Sequence, residues 1–337
     1  MKALKIPAPG KLEMQTVPLP DTRPGEILLR VGYGGICGSD VHIYHGKNPR
    51  VKYPLVMGHE MSGWVADVGG ECGGDWKAGD QVAVNPLLWC GACDPCRRGY
   101  THVCQKLGLI GIDTDGAFAE YVKVRPSQLI RVPEGMGLDV AALAEPLAVG
   151  VHAVNCSGAQ AGDRVVVLGG GPIGLMVALA ARAAGAEMVA VGEVSPFRLG
   201  KAGKMGFKTL DPQNGSVKEQ VLDITRGAGA DVVFEAAAAA ATSAQMTGLL
   251  RTRGTAVVVG VHRQLAQVDL QDVNLRELHI LGSRVYTPND FKTAVSLMPQ
   301  LSELREVITH RLPLEAAQSG FDAAMASGES LKVLLKP

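Results

Sequence analysis

Residues 165–174 of this 337-residue chain read VVVLGGGPIG, and this stretch decides the fold. Three valines and a leucine form the short, fully apolar run that a strand buried on both faces requires. The glycines that follow satisfy G-x-G-x-x-G and precede an apolar segment with helical character. Glycines at this spacing permit a tight turn and a close approach of the backbone to a pyrophosphate, whose charge a helix N-terminus stabilises. The candidate dinucleotide contacts in this loop are Gly169, Gly171, Pro172, Ile173 and Gly174.

A carboxylate follows the next apolar run, 188–191 (MVAV), at the distance that a dinucleotide-binding unit requires. Glu193 ends this run, where it would accept hydrogen bonds from the hydroxyls of the adenosine ribose. A carboxylate there repels a 2′-phosphate, so we expect NAD in preference to NADP. Arg198 keeps NADP open, because an arginine near this position can serve a 2′-phosphate. The alternative for Glu193 is an ordinary solvated strand end.

The sequence pattern changes near residue 165, and the two patterns together indicate an α/β protein. Short apolar runs alternate with helical segments after residue 165, at 165–168, 188–191, 231–234, 255–259 and 278–281. This alternation is typical of a doubly wound parallel sheet covered by helices on both faces. The alanine-rich run 236–241 is predicted to start a helix. The first 150 residues instead carry short β segments between turn signals, which is typical of a compact, mostly antiparallel, barrel-like unit.

Composition and charge exclude several classes of partner. Lys and Arg together number 33, as do Asp and Glu, so the formal net charge is zero. Without a basic excess we expect neither a nucleic-acid partner nor a membrane partner. The chain has no apolar run that resembles a signal peptide or spans a bilayer, so we expect a cytoplasmic protein. Its seven cysteines must then be explained without disulfides.

Four of these cysteines form C-x2-C-x2-C-x7-C and predict a structural zinc site. They are Cys90, Cys93, Cys96 and Cys104, within a loop rich in glycine and proline. Thiolates spaced in this way around tight turns can converge on one tetrahedral ion. An iron–sulfur cluster is the main alternative, but its bacterial pattern has three residues before the fourth cysteine and a proline after it. A site closed by four thiolates leaves no position for a substrate, so its role is to fold the lobe.

A second group of candidate ligands predicts a metal site with an open position. Cys37, His59 and Glu60 lie within 25 residues in glycine-rich surroundings, and Glu145 follows far downstream. Three ligands of mixed sulfur, nitrogen and oxygen type leave the fourth zinc position for water or substrate. On spacing alone, the alternative that these are ordinary core or surface residues remains open.

Together these motifs resemble those of the zinc-dependent medium-chain alcohol dehydrogenases, in the branch of polyol, butanediol and L-threonine dehydrogenases. The stretches that carry the resemblance are GGICGSDVHIYHG, YPLVMGHEMSGWV, CGACDPCRRGYTHVC, DGAFAEYV, ALAEPLAVGVHA and VVVLGGGPIGLM. The resemblance implies a GroES-like, mostly β catalytic domain (1–150 and 286–337) interrupted by a Rossmann NAD-binding domain (151–285). It implies two zinc ions per chain, NAD as cofactor and a small-molecule alcohol as substrate. A homo-oligomer, as a tetramer or a dimer, is implied in the same way.

The resemblance also assigns roles to single residues. Cys37 and His59 would bind the catalytic zinc, with Glu145 as third ligand and Glu60 in or just outside the coordination shell. Asp40 would orient His59. The proton-relay positions are matched by Ser39 and His42, the further cofactor contacts by Val259, Gly260, Val261, Ser283 and Arg284, and a position near the substrate pocket by Tyr286.

Two departures from the family pattern concern the cofactor wall and the substrate. Glu235 is followed by three alanines where the family has a Cys/Ser–Thr–Gly turn, so we expect a looser cofactor wall. Val285 stands where sorbitol dehydrogenases carry an arginine, which weakens the case for sorbitol. The loop 45–52 has three cations and no acid, which would suit an anionic sugar acid, although a solvated loop is the simpler interpretation. We therefore expect a polyol or sugar acid as substrate, with a vicinal diol or L-threonine as alternative.

The remaining alternative is a non-catalytic zinc-binding interaction protein. The cysteine spacing lacks the two C-x2-C pairs of a zinc ribbon, and the neutral charge counts against a nucleic-acid partner. Histidines without a predicted role are expected to be packing or surface residues: His152, His262, His279 and His310.

Overall fold

A computed structural model of the chain describes residues 1–70, 74–326 and 328–337. The strands are β1 (Lys2–Ile6), β2 (Glu13–Thr16), β3 (Ile27–Ile36), β4 (Leu55–Val56), β5 (Glu60–Val68), β6 (Gln81–Val84), β7 (Leu87–Leu88), β8 (Gly108–Leu109), β9 (Tyr121–Val124), β10 (Leu129–Arg131), β11 (Arg164–Leu168), β12 (Met188–Gly192), β13 (Lys208–Leu210), β14 (Ala230–Glu235), β15 (Leu250–Val258), β16 (His279–Gly282), β17 (Ile308–Pro313) and β18 (Lys332–Lys336). The α-helices are α1 (Gly38–Tyr44), α2 (Asp94–Arg97), α3 (Leu138–Ala141), α4 (Ala144–Ser157), α5 (Pro172–Ala183), α6 (Pro196–Lys204), α7 (Val217–Ile224), α8 (Ala240–Gln245), α9 (Leu270–Leu275), α10 (Pro288–Leu297), α11 (Leu304–Val307) and α12 (Ala317–Met325).

The described residues form two compact units, Met1–Glu145 with Thr287–Pro337 and Pro146–Tyr286. The first break lies in the opening turn of α4, a continuous helix, whereas the sequence places the domain boundary at residue 150. Among the described residues, none of the helices combines the length and the apolarity needed to cross a bilayer.

The unit Pro146–Tyr286 is the doubly wound sheet that the sequence predicts. Its six parallel strands have the order β13-β12-β11-β14-β15-β16. Counted from β11, this is the order 3-2-1-4-5-6 of a Rossmann fold. The three valines of β11 are fully buried, because the strand is central and covered on both faces.

The alanine-rich run 236–241 contains the start of a helix, as predicted, but only at its end. Helix α8 begins at Ala240, whereas residues 236–239 lie outside the helix and Ala238 has a φ of +53°. Their backbone groups are bound elsewhere: Ala236 donates its N–H to the carbonyl of Leu168, and Ala237 donates to the Glu235 carboxylate. The segment is thus a loop at the carboxyl end of the sheet.

The unit that contains both termini is mostly β. Its main sheet has the order β10-β6-β5-β3-β18-β17, with β9 also paired to β3, and all of these pairs except β17–β18 are antiparallel. Strands β3 and β5, of ten and nine residues, are longer than the short β segments expected in this part of the chain. Their extra residues matter, because they carry the chain to the first candidate metal site.

Candidate metal centres and dinucleotide loop

The register of β3 and β5 brings the first candidate ligand set together. Gly35 on β3 pairs with Glu60 on β5, so Cys37, two residues later, and His59, one residue earlier, reach the same end of the sheet. One ligand atom from each of Cys37, His59 and Glu60 lies within 4.8 Å of the others. A Cβ at Gly35 would lie 2.2 Å from Glu60 Oε2, so a side chain there would displace the Glu60 carboxylate.

The surroundings of this ligand set favour a cation. Asp40 accepts the Cys37 N–H at 2.8 Å, and its other oxygen lies 3.7 Å from Nδ1 of His59. Burial by itself lowers the pKa of His59, but the negative charges of Asp40 and Cys37 raise it well above its usual value. Buried polar atoms without a hydrogen-bond partner among the described residues include Asp40 Oδ1 and Glu60 Oε2. An environment that attracts a proton and leaves buried carboxylate oxygens unsatisfied fits a divalent cation.

Lys332 contacts the candidate ligand set, and the sequence analysis did not single it out. Its Nζ donates to Glu60 Oε1 at 2.6 Å and to the carbonyl of Ile36 at 3.3 Å. The side chains of Lys332 and Glu60 are only 2% and 1% exposed. Burial alone lowers the pKa of Lys332, but the charges of Glu60, Cys37 and Glu145 more than offset this and raise it. The available signal was a lysine inside the apolar run LKVLL, because a lysine is almost never fully buried unless it is paired.

Glu145 is near this cluster without converging on it. It is buried in the first turn of α4, and its charge acts on Lys332. Among the described residues, the ligand group within 4.8 Å consists of Cys37, His59 and Glu60 and does not include Glu145. Its role as third zinc ligand therefore stays a prediction.

The four cysteines of the lobe are arranged for a tetrahedral ion. Their sulfurs lie 3.5 Å apart for Cys104–Cys90, 3.7 Å for Cys93–Cys104 and 4.0 Å for Cys90–Cys96. A zinc–sulfur distance of 2.3 Å corresponds to a tetrahedral edge of about 3.8 Å, whereas a disulfide is about 2.05 Å long. The six cysteines in the described part of the chain are all free.

Backbone N–H groups support thiolates in this lobe. Cys90 Sγ accepts from the N–H of Cys93, and Cys104 Sγ accepts from the N–H groups of Cys90 and Lys106. N–H donors from Ala92 and Cys93 lower the pKa of Cys90 to about 6, while burial and neighbouring thiols raise the pKa of Cys96 to about 12. The raised pKa of Cys96 shows that four thiolates do not coexist here by themselves, whereas a divalent cation would compensate their charge and bind all four as thiolates.

The glycine loop has the geometry of a phosphate cradle. A Cβ on Gly174 would lie 1.8 Å from the carbonyl oxygen of Gly169, and one on Gly169 would lie 2.9 Å from the N atom of Ala237. Helix α5 follows from Pro172 with Gly171 at its N-cap, and no side chain caps it. Because the first N–H groups of a helix have no partner within the helix, this end offers donors to an anion. These residues therefore fit a dinucleotide pyrophosphate.

Glu193 has a second role that its position alone does not reveal. Its carboxylate accepts the N–H of Gly170 at 2.8 Å, that of Val194 at 2.7 Å and that of Ser195 at 2.9 Å. Arg198 lies nearby, with its guanidinium 3.8 Å from the place of a Cβ on Gly171. Glu193 thus braces the glycine loop, and its role as a ribose contact stays a prediction.

The remaining predicted cofactor contacts follow the last two strands of the parallel sheet. Val259 and Gly260 donate their N–H groups to the carbonyl of Glu235, and Val261 is 81% exposed. Ser283 follows β16 and donates its N–H to the carbonyl of Val258, and Arg284 is exposed. These five residues lie at the carboxyl ends of β15 and β16.

Tyr286 and the cationic loop are less favourable to their predicted roles. The Tyr286 side chain is fully buried, which does not support a contact with a substrate. In the loop, Arg50 pairs with Asp113 at 2.7 Å and also donates to the carbonyl of Leu107. One of the three predicted cations is therefore occupied within the protein.

Comparisons with known proteins agree with this architecture. Residues 23–134 match the alcohol dehydrogenase GroES-like domain, and residues 172–300 match the zinc-binding dehydrogenase domain. A 2-dehydro-3-deoxy-L-galactonate 5-dehydrogenase from Pseudoalteromonas atlantica is 40% identical over 93% of this chain and 92% of its own length. An L-threonine 3-dehydrogenase from Bacillus licheniformis is 36% identical over 100% of this chain and 99% of its own. A crystal structure of a zinc-binding dehydrogenase from Sinorhizobium meliloti bound to NADP has a TM-score of 0.94 and 34% identity, and covers 100% of this chain and 99% of that one.

The chain therefore belongs to the zinc-binding alcohol dehydrogenase family, which confirms the resemblance drawn from its motifs. It is a zinc- and NAD(P)-dependent oxidoreductase with a GroES-like domain and a Rossmann-like domain.

Proposed function

We propose that the enzyme uses NAD to oxidise a secondary hydroxyl of a polyol or a sugar acid to a ketone, and catalyses the reverse reaction. The observation that carries this proposal is the convergence of Cys37, His59 and Glu60 in a buried, negatively charged environment. Zinc bound there would act as a Lewis acid that lowers the pKa of the alcohol hydroxyl, and the nicotinamide would accept the hydride from the carbon that bears this hydroxyl.

The chain's own residues bind, orient and move a proton. Cys37 and His59 would hold the cation, and the Asp40 carboxylate, 3.7 Å from the imidazole Nδ1, would attract the imidazole electrostatically. Lys332 keeps the Glu60 carboxylate in place. Glu145 is the proposed third ligand.

Ser39 and His42 are the proposed path for the proton that leaves the alcohol. Ser39 Oγ lies 3.4 Å from His59 Nε2, and His42 follows three residues later on α1, where it is exposed. Residues three apart share one face of a helix, and an exposed imidazole exchanges protons with water near neutral pH. This arrangement supports a short relay from the buried site to solvent.

A sugar acid is supported by the 40% identical relative named for a deoxy sugar acid. Lys47 and Lys52 are exposed in the loop before His59 and would attract a carboxylate. The L-threonine dehydrogenase at 36% identity supports L-threonine as the alternative, together with vicinal diols.

A panel of polyols, sugar acids, vicinal diols and L-threonine, followed by NADH absorbance, tests the proposal. We expect the highest kcat/KM with a sugar acid or a polyol. Higher efficiency with L-threonine or butanediol would favour the alternative substrate class. Zinc retention without reduction of NAD by any alcohol would contradict the enzymatic role and leave an interaction protein.

Cofactor preference depends on the charge of Glu193. We expect NAD to be preferred in the wild type, and E193Q to shift the ratio of kcat/KM values about tenfold toward NADP, because repulsion of the 2′-phosphate disappears. The amide of glutamine still accepts from the backbone, so E193Q keeps part of the loop brace, whereas E193A loses both functions. Steady-state kinetics with both cofactors measure this ratio. A wild type that prefers NADP, or an unchanged ratio in E193Q, would contradict the assignment.

We further propose a homo-oligomer, either tetramer or dimer, in the cytoplasm. Strand β16 lies at the edge of the parallel sheet, and Ile280 and Leu281 on it are 36% and 38% exposed. Exposed apolar residues on an unpaired edge strand support pairing with a second copy. Light scattering after gel filtration measures the mass, and a monomer at micromolar concentration would contradict the proposal. The cysteines of the described residues are all free, which supports the proposed location in a reducing compartment, the cytoplasm.

A further inference from the structure

A buried carboxylate with no predicted role lies at the carboxyl end of β14. Glu235 is fully buried, and its Oε1 accepts from the N–H of Ala237 at 3.0 Å and from the hydroxyl of Thr242 at 2.6 Å. A buried carboxylate is costly unless its charge is compensated. The compensating group comes from another part of the chain.

That group is His262, which the sequence analysis treats as a packing or surface residue. Its Nε2 lies 2.9 Å from Glu235 Oε2 and 3.3 Å from Ser243 Oγ, and its side chain is 18% exposed. The Ser243 hydroxyl donates to the carbonyl of Ala239, and a carboxylate only accepts. When Glu235 is ionised, Nε2 therefore carries a proton and His262 is the donor to Glu235.

This contact joins two loops that border the dinucleotide cradle. Loop 236–239 follows β14 and lies against the glycine loop, since a Cβ on Gly169 would come within 2.9 Å of Ala237. Loop 259–263 follows β15, and a Cβ on Gly260 would lie 2.6 Å from the N atom of Ala238 and 2.8 Å from Glu235 Oε2. Glu235 thus contacts both loops, through its side chain and through its backbone carbonyl.

The hydrogen bonds of Glu235 oppose the looseness that the sequence led us to expect in the cofactor wall. Ala238 adopts a φ of +53°, in the left-handed region that costs an alanine about 1 kcal/mol or more. The hydrogen-bond contacts of the Glu235 carboxylate with Ala237, Thr242 and His262 stabilise the loop that contains Ala238. Without the His262 contact, one oxygen of a buried carboxylate would lack its donor, and loop 259–263 would keep only the bonds from the Val259 and Gly260 amides to the Glu235 carbonyl.

We propose that His262 is a positioning residue for the dinucleotide: by donating to the buried Glu235, it holds loops 236–239 and 259–263 in the arrangement that forms one wall of the cofactor site. The inference rests on the proposed placement of NAD(P) at the glycine loop. His262 acts through Glu235 and the loop backbone.

The test is calorimetric titration of the zinc-loaded wild type, H262A, H262Q and R263A with NADH and with NADPH. We expect H262A to bind the preferred cofactor about tenfold more weakly, the effect of losing a hydrogen bond to a charged group. H262Q should stay within about threefold of the wild type, because its amide N–H can replace the imidazole donor. Arg263 is the exposed neighbour on the same loop, and R263A shows how far any truncation on this loop weakens binding; it should weaken binding clearly less than H262A.

Two further readouts separate positioning from general stability. In steady state, H262A should raise KM for the cofactor while kcat at saturating cofactor changes less than about twofold. Hydrogen exchange of residues 255–265 should accelerate in H262A and not in R263A, because the amides of Val259 and Gly260 are bound to Glu235. A merely structural role would lower the active fraction in H262A and leave KM unchanged.

Wild-type affinity in H262A would overturn the inference, as would equal weakening in H262A and H262Q. A wild type that binds neither NADH nor NADPH would instead overturn the proposed cofactor site itself. If H262A does not fold, H262Q is compared with R263A by hydrogen exchange and by cofactor binding. Faster exchange and weaker binding in H262Q than in R263A would overturn the role of His262 as a hydrogen-bond donor.

Discussion

Replacing Cys37 with serine is expected to lower the rate of alcohol-dependent NAD reduction about a hundredfold or more, while the protein still folds. A serine hydroxyl stays protonated near neutral pH and is a poor zinc ligand, whereas a thiol with an ordinary pKa of about 8.5 is readily converted to a thiolate by the metal. Loss of residues that only support a ligand already costs about 10- to 100-fold, so loss of a ligand should cost at least as much. Initial rates and zinc content per chain measure the effect.

Cys90→Ser is the matched control, because it makes the same chemical change in the other ligand set. We expect two zinc ions per chain in the wild type and one in each variant. C90S should mainly lower the melting temperature, since its lobe has short strands and helices and depends on the metal for its fold. Identical losses of activity and stability in C37S and C90S would contradict this division of roles between the two sites.

The parts of the fold that sequence predicted are those in which local pattern and tertiary contact agree. The run VVVL is fully apolar and all four residues are buried in a central parallel strand, and a Cβ at position 174 would clash with the carbonyl oxygen of Gly169. The four-cysteine lobe was equally readable, since its ligands are close in sequence. Cys37 and His59 were predicted from spacing and resemblance, while the register of Gly35 with Glu60 that unites them is a long-range property.

The residues that the sequence did not reveal act through contacts between distant segments. Lys332 contacts Glu60 across 272 positions of sequence, and His262 contacts Glu235 across 27. Glu193 was predicted as a ribose contact, but its hydrogen bond to Gly170 requires the turn of the glycine loop to be in place. The alanines at 236–239 have helical propensity, yet hydrogen bonds to Leu168 and Glu235 hold two of them in a loop.

Lys332→Met is expected to lower the free energy of unfolding by about 3 to 5 kcal/mol. Methionine has a similar length but no charge, so Glu60 would remain buried without its cationic partner. Because both side chains are almost completely buried, solvent screening does not reduce this cost. Denaturant unfolding of the chelator-treated protein measures it, since zinc near Glu60 would partly replace the lost charge.

The double variant K332M/E60Q distinguishes an unpaired charge from a packing defect. Removing the carboxylate charge should restore most of the stability lost in K332M, so the two substitutions should be strongly non-additive. Zinc addition should likewise stabilise K332M more than the wild type, because the cation then faces an unpaired Glu60. If K332M lies within about 0.5 kcal/mol of the wild type, or if E60Q gives no recovery, Lys332 does not hold Glu60 in the way its 2.6 Å contact implies. Recovery of stability without recovery of turnover would show that the pair positions the metal site in addition to stabilising the sheet.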